Sequence, residues 1–172
     1  MAKQIINVGA AANDGTGDPI RTAMEKSNAN FSELYTDIAA LSGGSSLQTR
    51  GNVSAATASL APNASADLSI TGFKSYALMS ITTSGAAWVR IYANAASRTA
   101  DASRTETTDP APDAGVIAEV ITTGAQTVLV SPGVIGYNLE TPVTAIIPCK
   151  VTNKSTNAGA VTVTLKILQL EA

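Results

Sequence analysis

Four carboxylates in one turn-rich stretch are the first candidates for chemistry in this sequence. They are Asp101, Glu106, Asp109 and Asp113. Carboxylate oxygens can hold Ca²⁺, but this spacing does not match an EF-hand loop. Two carboxylates facing one cleft could cleave a glycoside, and nothing in the sequence brings two of them together. We therefore interpret residues 94–115 as a solvated acidic excursion whose charge is offset by Arg98 and Arg104.

The chain contains no histidine and a single cysteine, Cys149. The missing histidine removes the commonest general base and the usual partner of a nucleophilic serine or cysteine. Cys149 follows Pro148 in a predicted strand, and we interpret it as a small buried apolar side chain. We predict that the protein is not an enzyme and that it has no catalytic residue, cofactor or metal site.

A second candidate is the glycine-rich segment Gly15-Thr16-Gly17. A phosphate-binding loop would need a preceding strand and a following helix that carries a lysine, and this segment lacks that context. It is more typical of a turn that leads the chain into a helix.

Trp88, Arg90 and Tyr92 alternate along a predicted strand and so share one face. An exposed Trp–Tyr platform would suit stacking on a sugar ring. Because aromatic residues make up only 4% of the chain, we favour a place in the core for Trp88.

Helix signals surround residues 19–41. Asp18 is a good N-cap, and Pro19 suits the first helical position. Ser42 to Ser46 read Ser-Gly-Gly-Ser-Ser, which predicts the end of the helix and a flexible linker. The linker should therefore separate the helix from the C-terminal part of the chain.

An apolar stripe runs along this predicted helix at alternating spacings of four and three. Its positions are Ile20, Met24, Ser27, Phe31, Leu34, Ile38 and Leu41. Apart from Ser27, that is a heptad pattern typical of a short coiled coil. The stripe could lie on the protein's own domain or meet copies of itself or another scaffold. We favour the second interpretation because the predicted Gly-Gly linker detaches the helix from the β-region, and a free helix of this length is marginal in water.

The remainder of the chain alternates like β-structure. Strands are predicted at residues 65–71, 75–83, 86–94, 116–123, 126–131, 144–152 and 160–170. Many short strands without intervening helices predict an antiparallel β-sandwich of jelly-roll type. The fold class is therefore mainly β, with a docking and oligomerisation segment at residues 1–46 and the sandwich at 47–172.

Charge and hydropathy limit the partners. The chain has 172 residues, a net charge of −2 and no basic run, which argues against nucleic-acid binding. It has no apolar run long enough to cross a membrane. It opens without a secretory signal, so we expect synthesis in a cytoplasm.

The N-terminal residues resemble a segment of tailed-bacteriophage virion proteins, notably of phages that infect cyanobacteria. The likeness lies in residues 5–9, 13–23 and 26–35, which fit the form INxG…NDGTGDPxRxAxxKxNxNFxELY. Ser27 departs from it, since that family more often carries an apolar residue there. The later β-region is similar, less specifically, to domains of such proteins that have no assigned activity.

This resemblance implies a virion component that is present in many copies, commonly as a homotrimer, and assembled in the host cytoplasm. Such proteins occur in tails, baseplates and fibres. The expected partners are further copies of the chain and other virion proteins. A capsid decoration, or cement, protein is one alternative, and a receptor- or glycan-binding module is another.

Overall fold

The computed structural model divides into two units, Met1–Leu47 and Gln48–Ala172. The structure describes residues 4–11, 14–44 and 48–171. For residues 41–44 it describes the backbone only.

In its described residues, the first unit has a leader without regular secondary structure and one helix, α1, which spans Ile20–Gly44. The amide of Ala23 donates to the carbonyl of Pro19 at 2.9 Å, so helical hydrogen bonding begins one residue before Ile20. The helix continues past its predicted end at residue 41, and the predicted linker is wrong for residues 42–44. Glycine costs about 1 kcal/mol in a helix interior, and Gly43 and Gly44 fall in the last turn, where the cost is smaller. Ser45 and Ser46 lie outside the described residues.

The second unit contains eight strands and one short helix among its described residues. In chain order these are β1 (Arg50–Ala56), β2 (Ser65–Thr71), β3 (Ser75–Thr83), β4 (Ala87–Tyr92), α2 (Ala95–Ala100), β5 (Val116–Thr122), β6 (Gln126–Tyr137), β7 (Ile146–Asn153) and β8 (Thr162–Glu171).

The strands form two antiparallel four-stranded sheets. Sheet I has the order β1-β8-β3-β6, and sheet II has the order β2-β7-β4-β5. Strand 1 pairs with 8, 2 with 7, 3 with 6 and 4 with 5. This is the pairing of a long hairpin rolled into two sheets, which is a jelly roll. The predicted mainly β, antiparallel sandwich is confirmed.

The core lies between the two sheets. In β8 the predicted alternation is confirmed, because Val163, Leu165 and Ile167 are buried while Thr162 and Lys166 are exposed. The other large buried side chains come from β2, β3, β4 and β7: Leu68, Ile70, Tyr76, Leu78, Ile81, Val89, Ile91, Ile147 and Val151. Cys149 is fully buried among them, and burial raises the pKa of its thiol to about 12.

Two strands differ from their predictions by more than one or two residues at an end. No strand was predicted at β1, because Arg50–Ala56 turns only Val53 and Ala55 toward the core and so has little apolar alternation. Strand β6 continues through Pro132 and Gly133 to Tyr137, well past the predicted end at residue 131. Edge strands tolerate such residues because one side needs no ladder hydrogen bonds.

Residues 94–115 were predicted as a solvated excursion, and that prediction is wrong for part of the segment. They contain helix α2, whose cap is Asn94: its side chain accepts from the Ser97 amide at 2.7 Å. They also cover the outer face of β4, so that all six residues of this strand are buried.

Candidate functional site

The predicted contact residues of α1 are exposed to solvent. Ile20, Met24, Phe31, Leu34 and Ile38 keep 48–74% of their surface accessible. Leu41, the last predicted position, has a side chain outside the described residues. The structure therefore presents an apolar stripe on one side of a helix, as the spacing predicts.

The N-terminal unit has no buried side chain over residues 4–11 and 14–40. Apolar groups left in water contribute nothing to folding, and burying a large one contributes about 1.5–3 kcal/mol. Over these residues the helix is consequently held by its own hydrogen bonds and by polar contacts with the leader.

Asn30 on α1 binds the leader backbone through both ends of its side-chain amide. Its Oδ1 accepts from the Gln4 amide at 2.8 Å, and its Nδ2 donates to the Gln4 carbonyl at 2.9 Å. This pair satisfies both backbone groups of Gln4, as a neighbouring strand would.

Lys26 and Asp18 attach the next part of the leader. Lys26 Nζ donates to the Ile5 carbonyl at 3.0 Å and pairs with Asp18 Oδ2 at 2.6 Å. Asp18 Oδ2 also accepts from the Asn7 amide at 2.8 Å, while the Asp18 amide donates to the Asn7 carbonyl at 2.7 Å. The hydrogen bond from Lys26, followed by that from Asn7, lowers the pKa of Asp18.

These contacts replace the predicted N-cap. The carboxylate of Asp18 binds Lys26 and Asn7, so its role is to join the leader to the helix. An aspartate before Pro19 is expected in the sequence whether it caps the helix or binds the leader. Only its contacts in the fold distinguish the two roles.

Residues 9–11 and 14–17 lie between the leader and the helix and contain several turn contacts. The Asp14 carboxylate accepts from the amides of Thr16, Ala11 and Ala10 at 2.7–2.9 Å, and these bonds, led by Thr16, hold its pKa well below the usual range. Gly15 has a φ of +72°, which favours glycine. Gly17 passes so close to the Asn7 carbonyl that a Cβ would lie 3.1 Å from its oxygen. The segment is therefore a turn, as predicted.

Ser27 breaks the apolar heptad and is only partly exposed. The other partly exposed residues of the helix lie on the same side: Thr22, Ala23, Lys26, Asn30 and Glu33. This is the side whose Lys26 and Asn30 bind the leader. Ser27 thus belongs to the flank of the stripe next to the leader.

The leader itself carries apolar side chains that its polar contacts leave uncovered. Ile5 is 75% exposed and Val8 is 86% exposed, with Ile6 less exposed between them. These residues were not predicted as contact residues. Two features of the sequence could have predicted that Ile5 and Val8 lie beside the helix. One is the apolar run before the helix, and the other is the pair Lys26 and Asn30, which lie four residues apart on one helix side and can bind a backbone.

Trp88 is buried in the second unit, so the exposed aromatic platform considered for sugar binding is absent at this residue. It is 5% exposed, and the guanidinium carbons of Arg90 and Arg104 lie 3.8 and 5.2 Å from its ring centroid. Both distances fit cation–π contact. The indole Nε1 donates to Glu119 at 3.3 Å.

Asp101 joins residues 94–115 to the sheet. It is 8% exposed, accepts from Tyr92 Oη at 2.7 Å and from Arg104 Nε at 2.8 Å, and pairs with Arg90 at 3.3 Å. Burial raises the pKa of Asp101, but the hydrogen bonds from Arg104 and Tyr92 outweigh it and leave the pKa below its usual value. Burial and the bond to Asp101 raise the pKa of Tyr92.

A row of four charged residues crosses sheet II in register beneath this segment. The row is Asp67, Lys150, Arg90 and Glu119. Asp67 pairs with Lys150 at 2.9 Å and with Arg98 of α2 at 3.3 Å, and the bond from Lys150 chiefly lowers its pKa. Arg104 closes the other end on Glu119 at 2.7 Å. The charges are neutralised within the domain, which indicates a structural role.

The other predicted carboxylates do not converge. Glu106 pairs with Lys154 at 3.0 Å, while Asp109 and Asp113 are exposed. Across the described residues no group of three or more metal-ligating side chains comes together.

A second exposed apolar area lies on edge strand β6 of sheet I. Leu129, Ile135 and Tyr137 point away from the core and are 47–77% exposed. Ile135 is opposite Ala77, which in turn is opposite Leu168 on β8. One row of outward-facing residues is therefore apolar across three adjacent strands of sheet I.

No protein-family model, curated protein or solved structure matches this chain. Of the helices described, none combines the length and the apolar character that a membrane crossing requires.

Proposed function

We propose that this chain is a structural component of a tailed-bacteriophage virion, in the tail, baseplate or fibre-attachment region. Its N-terminal unit oligomerises and docks, and its jelly-roll domain is displayed or packed on the particle. The resemblance of residues 5–35 to phage virion proteins supports the setting. The exposed stripe of α1 supports the mode of attachment.

The observation that carries the proposal is the exposed apolar face of α1. None of the described side chains in the N-terminal unit is buried, so nothing within those residues covers this face. A 25-residue helix with five large apolar side chains about half exposed or more gains stability when another chain covers them. The spacings of four and three favour a helical neighbour. In a closed symmetric oligomer, each copy offers the same stripe to the next, and a homotrimer is the form we expect.

The second unit fits a packing role better than a recognition role. Jelly rolls serve as viral capsid domains and as lectins, so the fold alone does not separate these functions. Trp88 and Arg90 lie beneath residues 94–115, where a sugar ring cannot stack on them. We therefore do not retain the glycan-binding alternative at this strand.

The experiment that tests the proposal is localisation on the purified virion. Immunogold labelling with antibodies raised against residues 48–172, or density fitted with the jelly roll in a cryo-EM map, should place the protein at the tail or baseplate. Density on the capsid surface would support the decoration-protein alternative instead. Absence of the protein from purified particles would reject a virion role.

A further inference from the structure

The leader is attached to the side of α1 in a fixed direction. Gln4 is bound by Asn30, Ile5 by Lys26 and Asn7 by Asp18. The leader therefore runs antiparallel to the helix, with its backbone polar groups turned toward it. These bonds occupy backbone groups of Gln4, Ile5 and Asn7, while the side chains of Ile5 and Val8 remain exposed.

The leader lies next to the apolar stripe. Asn30 directly precedes Phe31 and is one helical turn before Leu34, so it sits at the edge of the stripe. Ile5 and Val8 are at least three-quarters exposed, and Phe31 and Leu34 are more than half exposed. The exposed apolar groups of leader and helix belong to adjoining parts of one unit.

The stripe carries no charge that would oppose an identical neighbour. Asp18 and Lys26 neutralise each other at 2.6 Å, and the stripe itself contains no charged residue. Two copies can thus bring their stripes together without placing like charges in direct contact within the stripe. The heptad spacing is also the repeat by which equal helices pack along one another.

From these observations we infer that the leader and the stripe form one composite surface, which a second copy of the chain covers. Asn30, Lys26 and Asp18 act as positioning residues that hold Ile5 and Val8 in that surface. This inference rests on the proposed function, because it requires that the stripe oligomerise. It adds that the leader is part of the interface.

The test is sedimentation equilibrium of the full chain with leader and helix variants. Val8→Asp should weaken self-association about tenfold, the effect expected when one aliphatic side chain is lost from an interface. Lys26→Ala should weaken it similarly, and Lys26→Arg should restore it. Arg21→Ala is the matched control, since it removes a positive charge from the opposite flank of the stripe.

Hydrogen exchange distinguishes positioning from direct contact. Lys26→Ala should accelerate exchange across residues 4–8 in both the free chain and the oligomer. Val8→Asp should accelerate it only in the oligomer. Equal protection in Lys26→Ala and the parent chain would overturn the positioning role.

The two proposals fail differently. A parent chain that stays monomeric at high concentration overturns both the oligomerisation and the composite surface. In the other case, Leu34→Asp dissociates the oligomer, but Val8→Asp and Lys26→Ala self-associate with the affinity of the parent. That result overturns only the composite surface.

Discussion

Tyr76 and Gly136 lie opposite each other on β3 and β6, and the tyrosine ring fills the space in which a side chain at residue 136 would begin. A Cβ at Gly136 would overlap the ring carbons of Tyr76. The ring is 1% exposed and belongs to the core, so it has no free direction in which to move. This pair fixes where edge strand β6 meets the centre of sheet I.

Gly136→Ala should destabilise the jelly roll by about 1–3 kcal/mol, since overpacking a filled core forces side chains and backbone to shift. Gly133→Ala, on the same strand, is the matched control because a Cβ there has open space around it. Urea denaturation of the two variants measures the difference. Equal stability of the two would show that Tyr76 does not occupy this position.

Asp101→Asn should cost about 3 kcal/mol at neutral pH, because removing one partner of a buried ion pair leaves Arg90 without compensation. Asp109→Asn is the control, since Asp109 is an exposed carboxylate in the same segment. Denaturation at pH 7 measures both variants. Parental stability of Asp101→Asn would contradict the role of the buried pair.

The stability of the jelly roll should fall in acid. The folded pKa of Asp101 lies below the unfolded value, so its contribution is present above about pH 4 and is lost as the pH falls through the folded pKa. The difference in unfolding free energy between parent and Asp101→Asn should therefore shrink below about pH 4. A constant difference between pH 7 and pH 2 would show that Asp101 does not titrate in this way.

Trp88 is the only tryptophan, so its fluorescence reports the cover that residues 94–115 place over β4. Acrylamide should quench the folded chain weakly, and Arg104→Ala should increase quenching because Arg104 bridges Asp101, Glu119 and the ring. Quenching of the folded parent as strong as in the unfolded chain would contradict a buried Trp88.

Much of the sandwich could be predicted because burial on one face leaves a period of two in the sequence. Strands β2 and β3 have the predicted bounds, and β8 alternates as predicted. Strand β1 was missed because its inward residues, Val53 and Ala55, are few and small. Helix α2 was missed because its six residues are polar or small, and its cap, Asn94, is equally common in loops.

The candidate site was predicted only in part. A heptad can be recognised from spacing, and the stripe is exposed where the pattern places it. The attachment of the leader leaves no such period, because Asn30 binds the backbone of a residue 26 positions away. Asp18 could be recognised as important, although its assigned role as a cap was wrong.

The central claim is that another polypeptide covers the apolar stripe of α1, and sedimentation equilibrium of Leu34→Asp tests it most directly. Ala29→Asp is the matched control, because the helical period places residue 29 opposite the stripe. We expect the parent and Ala29→Asp to be oligomeric at low micromolar concentration, and Leu34→Asp to be monomeric with an intact jelly roll. An oligomeric Leu34→Asp at that concentration would contradict the account.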